Sequence, residues 1–170
     1  MCQYFVNKEN TMSEQDNQAG NDPILQWVTY QMEQEVYGIN VMQVQEVLRP
    51  TEIAPVPGAP DYVLGIINLR GNVVTVIDTR KRFGLSSREV DEESRIIIAE
   101  VSGNVIGMLV DSVAEVVYLH QSEIDTAPNV SSDDSSRFIQ GVCSRDKNLL
   151  ILVDVNKLLN DDEIADIASF

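Results

Sequence analysis

The chain repeats itself, and the repeat constrains its fold more than any other feature. Val36–Leu48 (VYGINVMQVQEVL) aligns with Val105–Val117 (VIGMLVDSVAEVV), sharing Gly38/Gly107, Val41/Val110, Val44/Val113, Glu46/Glu115 and Val47/Val116. A second match follows: Gly65…Asn72-Val-Val-Thr-Val-Ile-Asp78 parallels Gly141…Asn148-Leu-Leu-Ile-Leu-Val-Asp154, with an echo at Lys81/Lys157. The offset grows from 69 (Val36 to Val105) to 76 (Asn72 to Asn148), which puts a seven-residue insertion in the second half, in the polar loop Asn129–Ser136. Two copies of a unit this short cannot each bury a sizeable core alone, so they are expected to share one. The expected division is a first subdomain over 24–90 and a second over 91–170, separated in the acidic, Ser-rich stretch Leu85–Ser94. The paired glycines are read as bulges or close backbone approaches.

Within each copy the pattern has period two. Gln26–Met32 and Val36–Asn40 read as a hairpin. Leu64–Leu69 and Val73–Ile77 flank Arg70-Gly71-Asn72, and Arg95–Val101 and Val105–Val110 flank Ser102-Gly103-Asn104, both turns rich in residues that tolerate positive φ. Val113–Leu119 and Leu149–Val153 are further strands. Val41–Leu48 fits a short helix or a strand. Leu158, Leu159, Ile164 and Ile167 have the spacing of a C-terminal helix interrupted near Asn160–Asp161. Residues 1–23 read as a polar tail, with Met1 and Met12 as the alternative translation starts. The fold class is all-β dominated, with short helices and a C-terminal helix.

Composition then narrows function. With 27 acidic against 12 basic residues the net charge is -15, a poor match to nucleic acid or anionic lipid. Cys2 and Cys143 make neither a disulfide framework nor a metal cluster, and fit a reducing compartment. No apolar run reaches membrane-span length, and no secretory leader is visible. The single histidine, His120, has no local nucleophile or carboxylate partner and reads as an exposed loop residue. No Gly-rich phosphate loop exists. Asp78 and Asp154, equivalent in the repeat, read as helix N-caps. The chain is expected to be no enzyme, with no cofactor and no metal site. Arg70 stands out as a cation at a turn apex, where arginine suits a carboxylate or aromatic contact.

Asn68-Leu69-Arg70-Gly71, then Val76-Ile77-Asp78 and Phe83-Gly84, resembles the signature of the CheW family of chemotaxis coupling proteins. Tyr37-Gly38-Ile39, Val44-Gln45-Glu46-Val47, Pro55–Pro60, Val105–Asp111 and Leu150–Leu159 support it in order, over roughly Gln26 to Leu159. The resemblance implies two small SH3-like five-stranded β-barrels packed together. It implies an adaptor in a two-component system, held at the inner face of the membrane in chemoreceptor arrays. Its partners would be chemoreceptor signalling tips, the regulatory domain of a CheA-type histidine kinase, and further copies of the family in rings. It assigns receptor contact to Val44, Asn68, Leu69, Arg70 and Gly71, further partner contacts to Glu46 and Arg95, and kinase contact to the region of Ile124 and Val130. The alternatives are a coupling protein of another chemosensory system, such as surface motility, and a small ligand- or metal-binding β-barrel.

Overall fold

A computed structural model describes residues 22–126, 138–145 and 148–168; Val130, the insertion loop and the tail before Asp22 lie outside them. In chain order the elements are β1 (Ile24–Met32), β2 (Glu35–Asn40), β3 (Val44–Leu48), β4 (Val63–Leu69), β5 (Asn72–Asp78), α1 (Thr79–Arg82), β6 (Arg95–Val101), β7 (Asn104–Val110), β8 (Ser112–His120), β9 (Asp125–Thr126), β10 (Ile139–Arg145), β11 (Asn148–Val153) and α2 (Asp161–Ala168). The ambiguous segment Val41–Leu48 is both of its options in series, a 3-10 turn over Val41–Gln43 and then β3. The C-terminal helix begins where the interruption was expected. Asn160 caps it reciprocally: its side chain accepts from the Glu163 amide at 2.8 Å, while the Glu163 carboxylate accepts from the Asn160 amide at 2.9 Å. Asp78 and Asp154 are both N-caps, accepting from the amides of Lys81 and Asn156.

The strands form two sheets, in the orders β8-β1-β2-β11-β10-β9 and β3-β6-β7-β5-β4. Each curls round its own apolar interior as a small SH3-like barrel. The repeat relates them strand for strand: β1, β2, β3, β4 and β5 correspond to β6, β7, β8, β10 and β11. The barrels nevertheless do not divide the chain at 24–90 and 91–170. One is built from β1–β2 of the first copy with β8–β11, and the other from β6–β7 of the second copy with β3–β5. Each copy lends its last three main strands to its twin, through the parallel pairings Leu150↔Val36 to Val153↔Ile39 and Thr75↔Ile106 to Asp78↔Leu109. The connectors provide the reason. Asp111 alone separates β7 from β8, too little chain to reverse direction as a hairpin, so β8 runs on into the neighbouring sheet.

This exchange gives the period-two strands three places to bury side chains. On β1, Val28, Tyr30 and Met32 face a core shared between the barrels, while Trp27 faces the interior of its own barrel with Leu119, Cys143, Leu150 and Leu152. Its counterpart β6 does the same: Ile97, Ala99 and Val101 enter the shared core, and Ile96 and Ile98 enter the second barrel with Ile67, Val74 and Val76. The shared core is the largest of the three. An aromatic ladder runs through its neighbourhood, from Tyr30 to Tyr37 (5.5 Å between ring centres), Phe83 (4.8 Å) and Phe138 (4.4 Å). Burial pushes the Tyr30 phenol well above its ordinary value, and Tyr37 adds to the shift.

A charged clamp sits where the chain crosses between barrels. Arg80 of α1 is buried, its side chain 8% exposed. It donates to Asp111 Oδ2 at 2.6 Å, to the Ser86 carbonyl at 2.7 Å and to the Glu33 carboxylate. Glu33 belongs to the β1–β2 turn and Asp111 is the crossover residue itself, so one guanidinium ties three connections together. Asp111 Oδ2 also accepts from the Glu33 amide at 3.0 Å and from Arg88 at 3.2 Å.

The paired glycines are close approaches, as read from the repeat. At Gly65, in a bulge of the β4–β5 ladder, an added Cβ would lie 2.2 Å from the Ala54 carbonyl oxygen. At its counterpart Gly141, a Cβ would lie 2.9 Å from the Asp125 carbonyl oxygen. Gly65→Ala is therefore expected to cost more than about 2 kcal/mol in a denaturant melt. Gly58→Ala, at φ 81 with open space round it, is expected to cost only about 1 kcal/mol. Equal losses at the two sites would refute the clash at Gly65.

Candidate functional site

The Asn68–Gly71 segment is the tip of the β4–β5 hairpin. Leu69 pairs with Asn72, leaving Arg70 and Gly71 as a two-residue loop at φ 51 and φ 88. Positive φ at both positions is the geometry whose twist matches paired strands. Glycine takes it freely, whereas arginine carries a cost of about 1–2 kcal/mol there. Asn68 secures the turn by accepting the Gly71 amide at 2.9 Å.

That conformation sends the Arg70 side chain across the barrel seam. In the order β3-β6-β7-β5-β4 the strands β3 and β4 are the two edges of the sheet. Arg70, at the end of β4, reaches Glu46 on β3 and grips it with two nitrogens, one at 3.2 Å from Oε1 and the other on Oε2. The partners differ sharply in exposure, at 69% for the Arg70 side chain and 9% for that of Glu46. A bulge between Val44 and Glu46 in the β3–β6 ladder sets the aim of Glu46. A bidentate fork on a carboxylate is directional, so the pair closes the seam and fixes the posture of an exposed guanidinium on an acidic surface.

The other expected contacts distribute unevenly. Val44 is 6% exposed and packs in the shared core, so it supports β3 from beneath and presents almost no surface of its own. Asn68 and Gly71 are exposed and Leu69 is half-buried. Arg95 opens β6 opposite Val110, whereas Val44 pairs with Ala99 near the far end of the same strand. Arg95 thus stands at the other end of the sheet from Arg70, and its guanidinium holds the carbonyls of Glu92 (2.8 Å) and Ser94 (2.7 Å). Ile124 is half-buried against the first barrel's interior, beside Gly141. His120 closes β8 with its side chain 49% exposed, its Nδ1 3.5 Å from Asp22.

Among the described residues there is no group of three or more His, Cys, Asp or Glu side chains placed to hold a metal ion, and no helix long and apolar enough to cross a membrane.

Residues 26–163 match the CheW-like domain family. This chain belongs to the CheW family. It is 32% identical over 155 residues to "Chemotaxis protein CheW" of Treponema pallidum, covering 89% of this chain and 91% of the relative. It is 34% identical over 135 residues to the protein of that name from Bacillus subtilis, covering 79% and 86%. Among solved structures it is similar to the scaffolding protein TtCheW of Thermoanaerobacter tengcongensis, at 34% identity and a TM-score of 0.75, covering 82% of this chain and 94% of that one. The chain is accordingly a chemotaxis scaffold of the CheW family and no enzyme.

The sequence singled out Glu46 and Arg70 separately and missed that they are partners. Residues 24 apart in sequence and on different strands carry no local signal of contact. The one available clue was compositional, since an acid among the valines of Val44–Leu48 needs a cation.

Proposed function

We propose that this CheW-family scaffold couples membrane chemoreceptors to a CheA-type histidine kinase in arrays at the inner face of the membrane, and that the receptor tip docks at the Arg70 seam. The observation that carries this reading is the exposed, doubly anchored Arg70 guanidinium at a hairpin apex. The side chain is immobilised before any partner arrives, so little further side-chain entropy is lost on contact. Asn68, Leu69 and Gly71 shape that apex, Glu46 orients the charge, and Val44 props the strand beneath. Ile124 and the segment running on to Val130 would serve the kinase. Arg95, at the opposite end of the sheet, would belong to a different contact.

Pull-downs against a chemoreceptor cytoplasmic fragment and a CheA-type kinase test this. At sequence level, Arg70→Glu would be expected to lose the receptor and keep its melting point. The structure changes that expectation, because the new carboxylate would face Glu46 and cost about 2–4 kcal/mol. The decisive variant is the exchange Arg70→Glu with Glu46→Arg, which restores the pair with its polarity reversed. It is expected to recover most of the melting point and the kinase while still failing to hold the receptor. Recovered receptor binding would reduce the pair to a structural fastening.

A further inference from the structure

The internal repeat gives each main strand of one barrel a counterpart in the other, and the two seams differ. On the β3–β7 barrel the seam is closed by Arg70 on Glu46. The repeat counterpart of Glu46 is Glu115 on β8, and in the sequence alignment the counterpart of Arg70 is Asp146, which lies outside the described residues. The second copy keeps the acid and replaces the base with another acid.

At that second seam lies a groove of ≈ 470 Å³, floored by Thr29 and Val36 and walled by Ala114–Tyr118 and Asn148–Leu150. Its volume suits a few side chains. Val36, Val117 and Leu150 back onto the barrel interior, while Leu149 (46% exposed) and Tyr118 (56% exposed) present apolar surface to solvent. Glu115 is the one charged residue in the lining and is exposed. Thr29 donates to its backbone carbonyl, leaving the carboxylate aside, and among the described residues no cation sits on it. An apolar trough with one carboxylate, in a protein of net charge -15, is complementary to an apolar side chain next to a cation. The β3–β7 barrel exhibits the same chemistry satisfied from within, by Arg70 on Glu46.

We propose that this groove is a docking surface for a partner protein, taking an exposed segment that carries an arginine or lysine beside an aliphatic residue. The partner's cation would take on Glu115 the place that Arg70 takes on Glu46, and its aliphatic neighbour would enter between Val36 and Leu149. This surface lies on the other barrel from the Arg70 seam and does not depend on the receptor reading.

The test uses the full-length protein, isotope-labelled for amide NMR and titrated into the millimolar range with acetyl-Leu-Arg-Val-amide, beside the same peptide with glutamine for arginine. The expected result is a saturable response at Val36, Val117 and Leu149, weakened up to about fivefold both by Glu115→Gln and by the glutamine peptide, the range for a solvent-exposed ion pair. Glu115 is exposed, so the variant should keep its melting point. A response unchanged in Glu115→Gln, one centred on Arg70, or none at all overturns the proposal.

Discussion

Cut between Val90 and Asp91, neither half of this chain is expected to fold, and mixing the two is expected to restore the native spectrum. Each half holds one complete copy of the repeat, which is where independent domains would be sought. Yet residues 24–90 contain β1 and β2 without β8, β10 or β11, and β3, β4 and β5 without β6 or β7. A half could form only its two local hairpins, and isolated hairpins are marginal in water. It would also bare its share of the core between the barrels, where Val28, Tyr30, Met32, Ile97 and Met108 are fully buried. Circular dichroism of each half should show no cooperative thermal transition. The equimolar mixture should melt as one unit, at a midpoint that rises with concentration because the fold has become bimolecular. A cooperative, concentration-independent melt from either half alone would contradict the exchanged topology.

The second large effect is expected at Arg80. Arg80→Ala should lower stability by about 3–5 kcal/mol, the usual cost of removing one member of a buried ion pair. Three acceptors lose their donor together: Asp111, 11% exposed, Glu33, and the Ser86 carbonyl. Arg88 remains near Asp111 at 3.2 Å, but its side chain is half-exposed and the pair screened. Arg80→Lys should recover little, because a single ammonium cannot reproduce a fork directed at three separate groups. Denaturant titration measures both. A loss under about 1 kcal/mol for the alanine variant would show that apolar packing alone sets the angle between the barrels.

Much of the fold was legible because the alternation is strong and the turns are chemically marked. Both glycine-centred hairpins and the two aspartate caps follow from local residue chemistry. β10 was less so: Gln140, Gly141 and Ser144 break its pattern, and only the alignment with β4 through Gly65/Gly141 points to it. The exchange of strands was hidden for a different reason. A repeat specifies which strands are equivalent, while both closed and exchanged arrangements satisfy the same local pairings. Connector length decides between them, and the single residue Asp111 is conspicuous only once the ends of β7 and β8 are known. The site shows the same limit. The family resemblance assigns contacts to Val44 and Arg95, and only the structure places Val44 in the shared core and Arg95 at the far end of the sheet from Arg70.

The exchanged strands also dictate an order of events during synthesis. β1 and β2 leave the ribosome first, yet β1 pairs on its outer side with β8, up to Ile24↔His120, and β2 with β11. Elongation must run to His120 before β1 has its second neighbour, a wait on the order of ten seconds. Meanwhile β3–β7 form an unbroken stretch that can assemble its sheet as it emerges. The second barrel is thus completed first, and the β1–β2 hairpin waits beside it with the apolar side chains of Trp27 and Tyr30 uncovered.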